Sequence, residues 1–222
     1  MSTADAVLSA RVGEVLVLTL NRPEKANAMS GAMHDALVQE LATGAKAVVI
    51  TGAGTRVFCA GADLKEFSEL DKSTAAKKRR ALLRRTLNAV LDFPGPLVAA
   101  VQGKALGAGA MLALLADDLV MADTAEIGLP EIKHGIPTPV GYAIVVARSG
   151  MAVARRMVQE GELAGPGLAD FVCAADAVQA TALERAGKLA ALPPDAYRTN
   201  KNFINASLKA ALAAAFAEAD KA

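Results

Sequence analysis

Four short runs of the chain are apolar at nearly every consecutive position: residues 15–18 (VLVL), 47–51 (AVVIT), 97–102 (LVAAVQ) and 119–122 (LVMA). A strand with one face in water alternates, so runs like these belong to a sheet covered on both faces. Helical patterns lie between them. Ser30 can cap a helix running to about Leu41, with Met33, Leu37 and Leu41 at helical spacing. Residues 75–93 read as a long helix with Leu82, Leu83, Leu87 and Val90 as its stripe, ended by Pro94 and Pro96. Residues 108–115 read as a short buried helix. A first pair of strands, over 6–12 and 14–20, turns at Gly13; Leu8, Ala10 and Val12 give the first a half-buried period of two. From Gly141 onward the pattern turns helical, most clearly over 175–192 and 200–219, with turns at 161–167 and 192–194. The expected organisation is an α/β core over residues 1–150 and a helical region over 151–222.

Composition narrows the function by exclusion. The 222 residues carry 24 Lys+Arg against 23 Asp+Glu, a net +1, so no global basic field argues for nucleic acid. No apolar run approaches the ~20 residues of a bilayer span, and residues 1–6 show no basic-then-apolar leader. Cys59 and Cys173 make neither a disulfide framework nor a metal cluster, so no metal site is expected. Cytoplasmic localisation follows as the expectation. Roughly a fifth of the chain is Ala and Trp is absent, a bias towards small residues beyond ordinary usage.

Two glycine-rich turns follow apolar strands: Val57-Phe58-Cys59-Ala60-Gly61-Ala62-Asp63-Leu64, and Gly103-Lys104-Ala105-Leu106-Gly107-Ala108-Gly109-Ala110-Met111. Small residues let a backbone approach something closely. The second turn opens a helix, whose free N–H groups favour negative charge. A phosphate-cradling loop would need Gly-Lys-Ser/Thr, and a dinucleotide fingerprint would need a small residue at position 112, which is Leu. No Gly-x-Ser-x-Gly elbow is present. Each turn alone is also compatible with a tight crossover. Two N–H groups from two separate turns can instead converge on one oxygen, an oxyanion hole suited to a thioester becoming an enolate.

The order and spacing of further pieces carry a resemblance. They are Leu20-Asn21-Arg22-Pro23 with Lys25-Ala26-Asn27-Ala28-Met29, Val49-Ile50-Thr51-Gly52, the 58–64 turn, Ala99-Ala100-Val101-Gln102-Gly103, Ala105-Leu106-Gly107-Ala108-Gly109, Asp117, and Pro130-Glu131 followed by Gly135-Ile136-Pro137. From about Val15 to at least Ala175 the chain resembles the crotonase family, the enoyl-CoA hydratases and isomerases. The resemblance implies a spiral of ββα units with a C-terminal helical region that builds trimers, often paired into hexamers. It implies an acyl-CoA thioester as substrate, with coenzyme A part of that substrate and no separate cofactor. It assigns the oxyanion N–H groups to Ala62 and Ala108, where the family usually has Gly at the second position. It places Lys25, Ala26, Ala28, Ala60, Asp63 and Leu64 along the coenzyme A groove. The family's two hydratase glutamates fall on Met111 and Glu131.

Met111 cannot carry a proton. One glutamate beside a polarised thioester suffices to move a proton between two carbons, so the expected activity is isomerase-like, Δ3 to Δ2 enoyl-CoA, through Glu131. An apolar pocket, partly from Met111, would raise the Glu131 pKa. Without the family context Glu131 also reads as a first-turn carboxylate after Pro130. Hydration or another enolate reaction, such as decarboxylation or thioester hydrolysis, is the alternative, with His134, Tyr142, Thr138 or Glu66 supplying the missing group. A third reading is a degenerate acyl-CoA-binding or structural subunit. The basic run Lys77-Lys78-Arg79-Arg80 with Arg84 and Arg85 reads as a solvated helix face. Against the family the chain is short: the 41–46 connection is compressed, and it stops at Ala222 ahead of the family's usual last helix.

Overall fold

In the computed structural model residues 6–221 are described; residues 1–5, on which most of the expectation about a leader falls, and Ala222 lie outside them. Two sheets share the strands. The larger runs in the order β1 (Val7–Val12), β2 (Val15–Leu20), β3 (Ala47–Gly52), β5 (Leu97–Val101), β7 (Asp118–Ala122) and β10 (Phe171–Cys173). Only the β1–β2 pair is antiparallel; from β2 onward the neighbours are parallel. The smaller sheet holds β4 (Val57–Cys59), β6 (Lys104–Leu106), β8 (Ile127–Gly128) and β9 (Leu163–Ala164).

Consecutive strands divide between the sheets: β3 joins the large sheet and β4 the small one, and so on for β5 with β6 and β7 with β8. A helix follows each pair. These are α2 (Lys72–Asp92), α3 (Ala108–Leu114) and, after a 3₁₀ turn at Pro130–His134, α4 (Pro139–Arg155), while α1 (Gly31–Leu41) follows β1 and β2. The repeated ββα rise is the expected spiral. The four apolar runs are four of its large-sheet strands, and β3 and β5 are buried at every position. The last helices are α5 (Val178–Ala190) and α6 (Pro194–Ala219). Val178, Ala182 and Ala186 of α5 are buried at helical spacing, and the small side chains let the helix settle against β2, β3, β5 and β7.

Helix starts obey local chemistry. Ser30 accepts the Met33 N–H at 3.3 Å, as expected. Asp71 accepts the Thr74 N–H at 3.0 Å, which moves the start of α2 ahead of residue 75. Between α1 and α2 the buried His34 Nδ1 pairs with Thr86 Oγ1 at 2.8 Å. Burial, aided by the nearby Arg85, lowers the His34 pKa to about 4.

Several expectations are corrected. In β1 the buried residue is Val7, while Leu8, Ala10 and Val12 are exposed, because an edge strand here meets the core only at its start. The 103–109 turn contains a three-residue strand, β6. The chain beyond Gly141 is not helical throughout: β9 and β10 add strands to both sheets. Among the described residues no helix is long and apolar enough to cross a membrane, and no group of His, Cys, Asp and Glu could hold a metal ion.

Candidate active site

The small sheet assembles the site. β4, β6 and β8 run parallel, with Cys59 opposite Ala105 and Leu106 opposite Gly128. Their carboxyl ends therefore deliver Gly61–Ala62, Gly107–Ala108 and Glu131 to one place, where α/β sheets commonly bind ligands. The two turns touch. A Cβ on Gly61, at φ +101°, would stand 3.1 Å from the Leu106 oxygen and 3.6 Å from Ala108 N. A Cβ on Gly107, at φ +54°, would stand 3.6 Å from the Gly61 Cα and 3.1 Å from Glu131 Oε1. Only glycine fits either position.

Both backbone donors are free among the described residues. Met29 N–H donates to the Gly61 oxygen at 2.8 Å, and Asp63 N–H donates to the Met29 oxygen at 3.0 Å. The Ala62 N–H between them has no partner. Ala108 is the first residue of α3 and its N–H has no partner either, as at any helix start without a capping side chain. Beside them lies a carboxylate in an unusual state. Glu131 Oε2 is buried and accepts no hydrogen bond. Burial pushes the Glu131 pKa up, against smaller opposing effects from its own N–H and from His134. Two free donors can hold an anionic oxygen, and a carboxylate with one unpartnered oxygen can take a proton.

Met111 sits one turn into α3 and is buried. Its Cε is 3.1 Å from where a Cβ on Gly141 would be, with Leu129 Cδ1 and Thr138 Cγ2 meeting the same point at 2.7 and 2.6 Å. The position is therefore apolar and filled. Of the groups considered as substitutes for a second carboxylate, Glu66 accepts the Gly31 N–H through both oxygens, at 2.9 and 2.8 Å, and is engaged at the start of α1. Thr138 donates to the Ile136 oxygen at 3.4 Å, and Tyr142 is half-buried against the core. His134 is exposed on the same 3₁₀ turn as Glu131, three residues on, where side chains eclipse.

The 22–29 loop packs along the first turn. Ala60 N–H donates to the Ala26 oxygen at 3.0 Å, Arg22 donates to the Ala28 oxygen at 2.6 Å, and Lys25 and Leu64 are exposed beside them. The structure thus brings Lys25, Ala26, Ala28, Ala60, Asp63 and Leu64 to one edge. The Asp63 side chain is turned inward onto Arg22 at 2.8 Å. Burial raises its pKa, but the Arg22 and Lys65 hydrogen bonds outweigh this and leave it below the usual range. Two residues that sequence reasoning passed over pin this loop: Arg22, and Asn27, whose amide donates to the Ala53 and Val57 oxygens at 2.9 Å each. Asn27 has φ +53°, a conformation Asn tolerates better than most residues.

Comparison with known proteins places the chain in a family. The profile described as enoyl-CoA hydratase/isomerase matches residues 11–221. The chain belongs to the enoyl-CoA hydratase/isomerase family. It is 39% identical to the 2,3-dehydroadipyl-CoA hydratase of Escherichia coli (strain K12), over 96% of this chain and 86% of that one. It is 32% identical to the carboxymethylproline synthase of Pectobacterium carotovorum subsp. carotovorum, over 86% and 81%. Among solved structures, an enoyl-CoA hydratase/isomerase from Mycobacterium paratuberculosis superposes with a TM-score of 0.88 at 28% identity, covering 98% of this chain and 92% of that one. The crotonase-like fold expected from the sequence is therefore the fold of this family member, an acyl-CoA enzyme of the hydratase/isomerase type.

Proposed function

We propose that the enzyme shifts the double bond of a 3-enoyl-CoA to the 2-position, with Glu131 as its single acid/base. The observation that carries this reading is the Glu131 carboxylate, with its buried Oε2 unpartnered, beside two free N–H groups, with apolar Met111 where a hydratase would place a second glutamate. The thioester oxygen would accept from the Ala62 and Ala108 N–H groups. Glu131 removes a proton from C2 of the substrate; the electron pair spreads over the dienolate and its charge collects on the held oxygen. The protonated Glu131 then returns the proton to C4, leaving the double bond between C2 and C3. No water is consumed, and the raised Glu131 pKa suits a group that must both take and give a proton. The chemistry draws on no group besides the substrate and these residues; coenzyme A enters only as part of the thioester. Lys25, Ala26, Ala28, Ala60, Asp63 and Leu64 would line its groove, with Met111 at the acyl end.

A second reading, hydration, is favoured by the name of the E. coli relative. It would need a group to activate water, and His134 on the face of Glu131 is the candidate. Decarboxylation and thioester hydrolysis would use the same oxygen-binding pair, and a degenerate acyl-CoA-binding or structural protein would do no chemistry with it. We also propose a cytoplasmic homotrimer or hexamer assembled through residues 151–222. The outward face of α6 supports this, since Phe203 and Ile204 are 85% and 71% exposed there.

One assay separates the readings. Conjugated-enoyl absorbance should rise with a 3-enoyl-CoA and stay constant with crotonyl-CoA. Loss of absorbance with crotonyl-CoA would mean hydration, binding without turnover would leave a degenerate acyl-CoA-binding protein, and failure to bind either thioester would leave a structural subunit.

A further inference from the structure

Glu131 stands three residues beyond Gly128, and that short segment is held from two sides. From the site, Gly107 N–H donates to the Gly128 oxygen at 2.9 Å. From the other side, β9 pairs antiparallel with β8, with Gly128 opposite Leu163 and Ile127 opposite Ala164. Leu163 Cδ2 meets the point where a Cβ on Gly128 would be, with the Glu162 oxygen and the Leu163 Cα at 3.2 and 3.3 Å from it, so the strap, and foremost its leucine side chain, occupies the space of the missing side chain. Beyond Glu131 the grip continues. Gly161, at φ +63°, lies so close that a Cβ there would meet Lys133 Cε at 2.8 Å and Ile132 Cγ2 at 3.1 Å.

The segment from Gly161 to Ala164 is therefore a strap laid along residues 127–133, touching them on both sides of the acid/base. A π turn at Arg156–Glu160 launches it, with the Gly161 N–H reaching back to the Arg156 oxygen. Such turns are rare and concentrate at functional sites. Behind the strap is a cavity of about 340 Å³, lined by Val153, Met157, Leu163 and Leu168 among others. The strap is held to this segment by the β8 pairing and by the seat of Leu163 on Gly128.

We propose that Leu163 is a positioning residue for the reaction, seating the strap on Gly128 so that the Glu131 carboxylate stays against Gly107 and out of water. The proposal rests on the reading of Glu131 as acid/base. Of the charged groups around Glu131, His134 acts on it from its own turn. Lys133 runs over Gly161, and on the strap side Arg156 and Glu162 pair with each other at 3.4 Å.

The test is steady-state kinetics with a 3-enoyl-CoA across pH, for wild type, Leu163→Ala, Leu163→Ile, Gly128→Ala, the Gly128→Ala/Leu163→Ala double variant, and Glu131→Gln. Leu163→Ala should lower kcat about tenfold with KM nearly unchanged, since a small misplacement of a reacting group is costly. The acidic limb of its kcat profile should move to lower pH as Glu131 gains water. Leu163→Ile should recover most of the rate. Gly128→Ala should be impaired because its methyl meets Leu163, and the double variant should outperform it because the Cδ2 clash is gone, while the remaining contacts to the Glu162 oxygen and the Leu163 Cα at 3.2 and 3.3 Å keep it below wild type. Wild-type kcat and an unmoved limb in Leu163→Ala, or a double variant no better than Gly128→Ala, would overturn the proposal. Should Leu163→Ala fail to fold, Leu163→Val reads the same contact. Full activity in Glu131→Gln would instead remove the underlying reading and the proposal with it. An inactive Glu131→Gln beside an unimpaired Leu163→Ala overturns the positioning role alone.

Discussion

The two ends of α3 are built to opposite rules. At its start the cap is Gly107, which offers no side chain; the Ala108 N–H is free, and Glu131 Oε2 has no partner among the described residues. At its far end every charge is matched. Lys201 from α6 donates to Asp117 at 2.7 Å and to the Gly95 oxygen at 2.9 Å, while Asp117 also accepts the Leu97 N–H at 2.8 Å. Arg185 from α5 meets Asp118 at 2.9 Å. Arg148 from α4 donates to the Ala116 oxygen at 2.9 Å and pairs with Asp170, which accepts the Leu119 N–H at 2.7 Å. Three helices each supply one cation to the turn that starts β7. A cavity of about 490 Å³ opens at this second end, lined by Leu115, Ile144, Tyr197 and Leu208 among others. Its charged groups Asp117, Asp118, Arg148 and Lys201 are already paired, so its size does not make it the reaction centre. Buried polar groups are normally paired; the end where pairing is withheld is the end that the proposed reaction uses.

The most severe way to break this contrast is Glu131→Gln. Turnover should fall by about 10²–10⁴-fold, the usual worth of a positioned acid/base, while the fold survives. Stability should move the other way. Burial raises the folded pKa of Glu131 above its unfolded value, so its neutral form is favoured by folding. That contribution is complete below about pH 4.3 and is lost as pH rises towards the folded pKa. Thermal unfolding at neutral pH should therefore find the Gln variant at least as stable as wild type, with the difference vanishing in acid. A variant that is both inactive and destabilised at pH 7 would make Glu131 a structural carboxylate.

Lys201→Met asks the converse question at the other end. The ammonium is 6% exposed, and burial lowers its pKa with Asp117 restoring part of the loss. The pair is thus not a large net gain, but removing one member strands Asp117. Chemical denaturation should show a loss of roughly 3–5 kcal/mol. The folded fraction should keep kcat within about twofold, as expected for sites without shared contacts. An activity loss comparable to that of Glu131→Gln would erase the distinction between the two ends.

The same contrast separates what could be read from the sequence. The covered strands, the Ser30 cap and the two glycine turns are local patterns, and residues 15–18, 47–51, 97–102 and 119–122 fall in large-sheet strands except for Gln102, one residue past β5. Strands of two and three residues, such as β6, β8 and β9, are too short to show a period, so the sheet that assembles the site was invisible. Glu131 emerged only through the family resemblance; the residues alone left it as a first-turn carboxylate. The clamp at the far end joins residues 84 and 67 positions apart, and no local signal links them. Leu8, Ala10 and Val12 misled because alternation marks one covered face, and β1 has almost none.

The gentlest test lies between the two ends, at Met111. The thioether packs at Gly141, Leu129 and Thr138, and in the proposed reaction it supplies bulk and dryness only. Met111→Leu conserves volume, so stability should change by less than about 1.5 kcal/mol. Turnover with a 3-enoyl-CoA should hold within about twofold, because no proton passes through sulfur. A fall of several orders of magnitude, measured beside a normal unfolding curve, would give the sulfur a role in the site. The free end of α3 would then hold a functional group that the pairing rule does not detect.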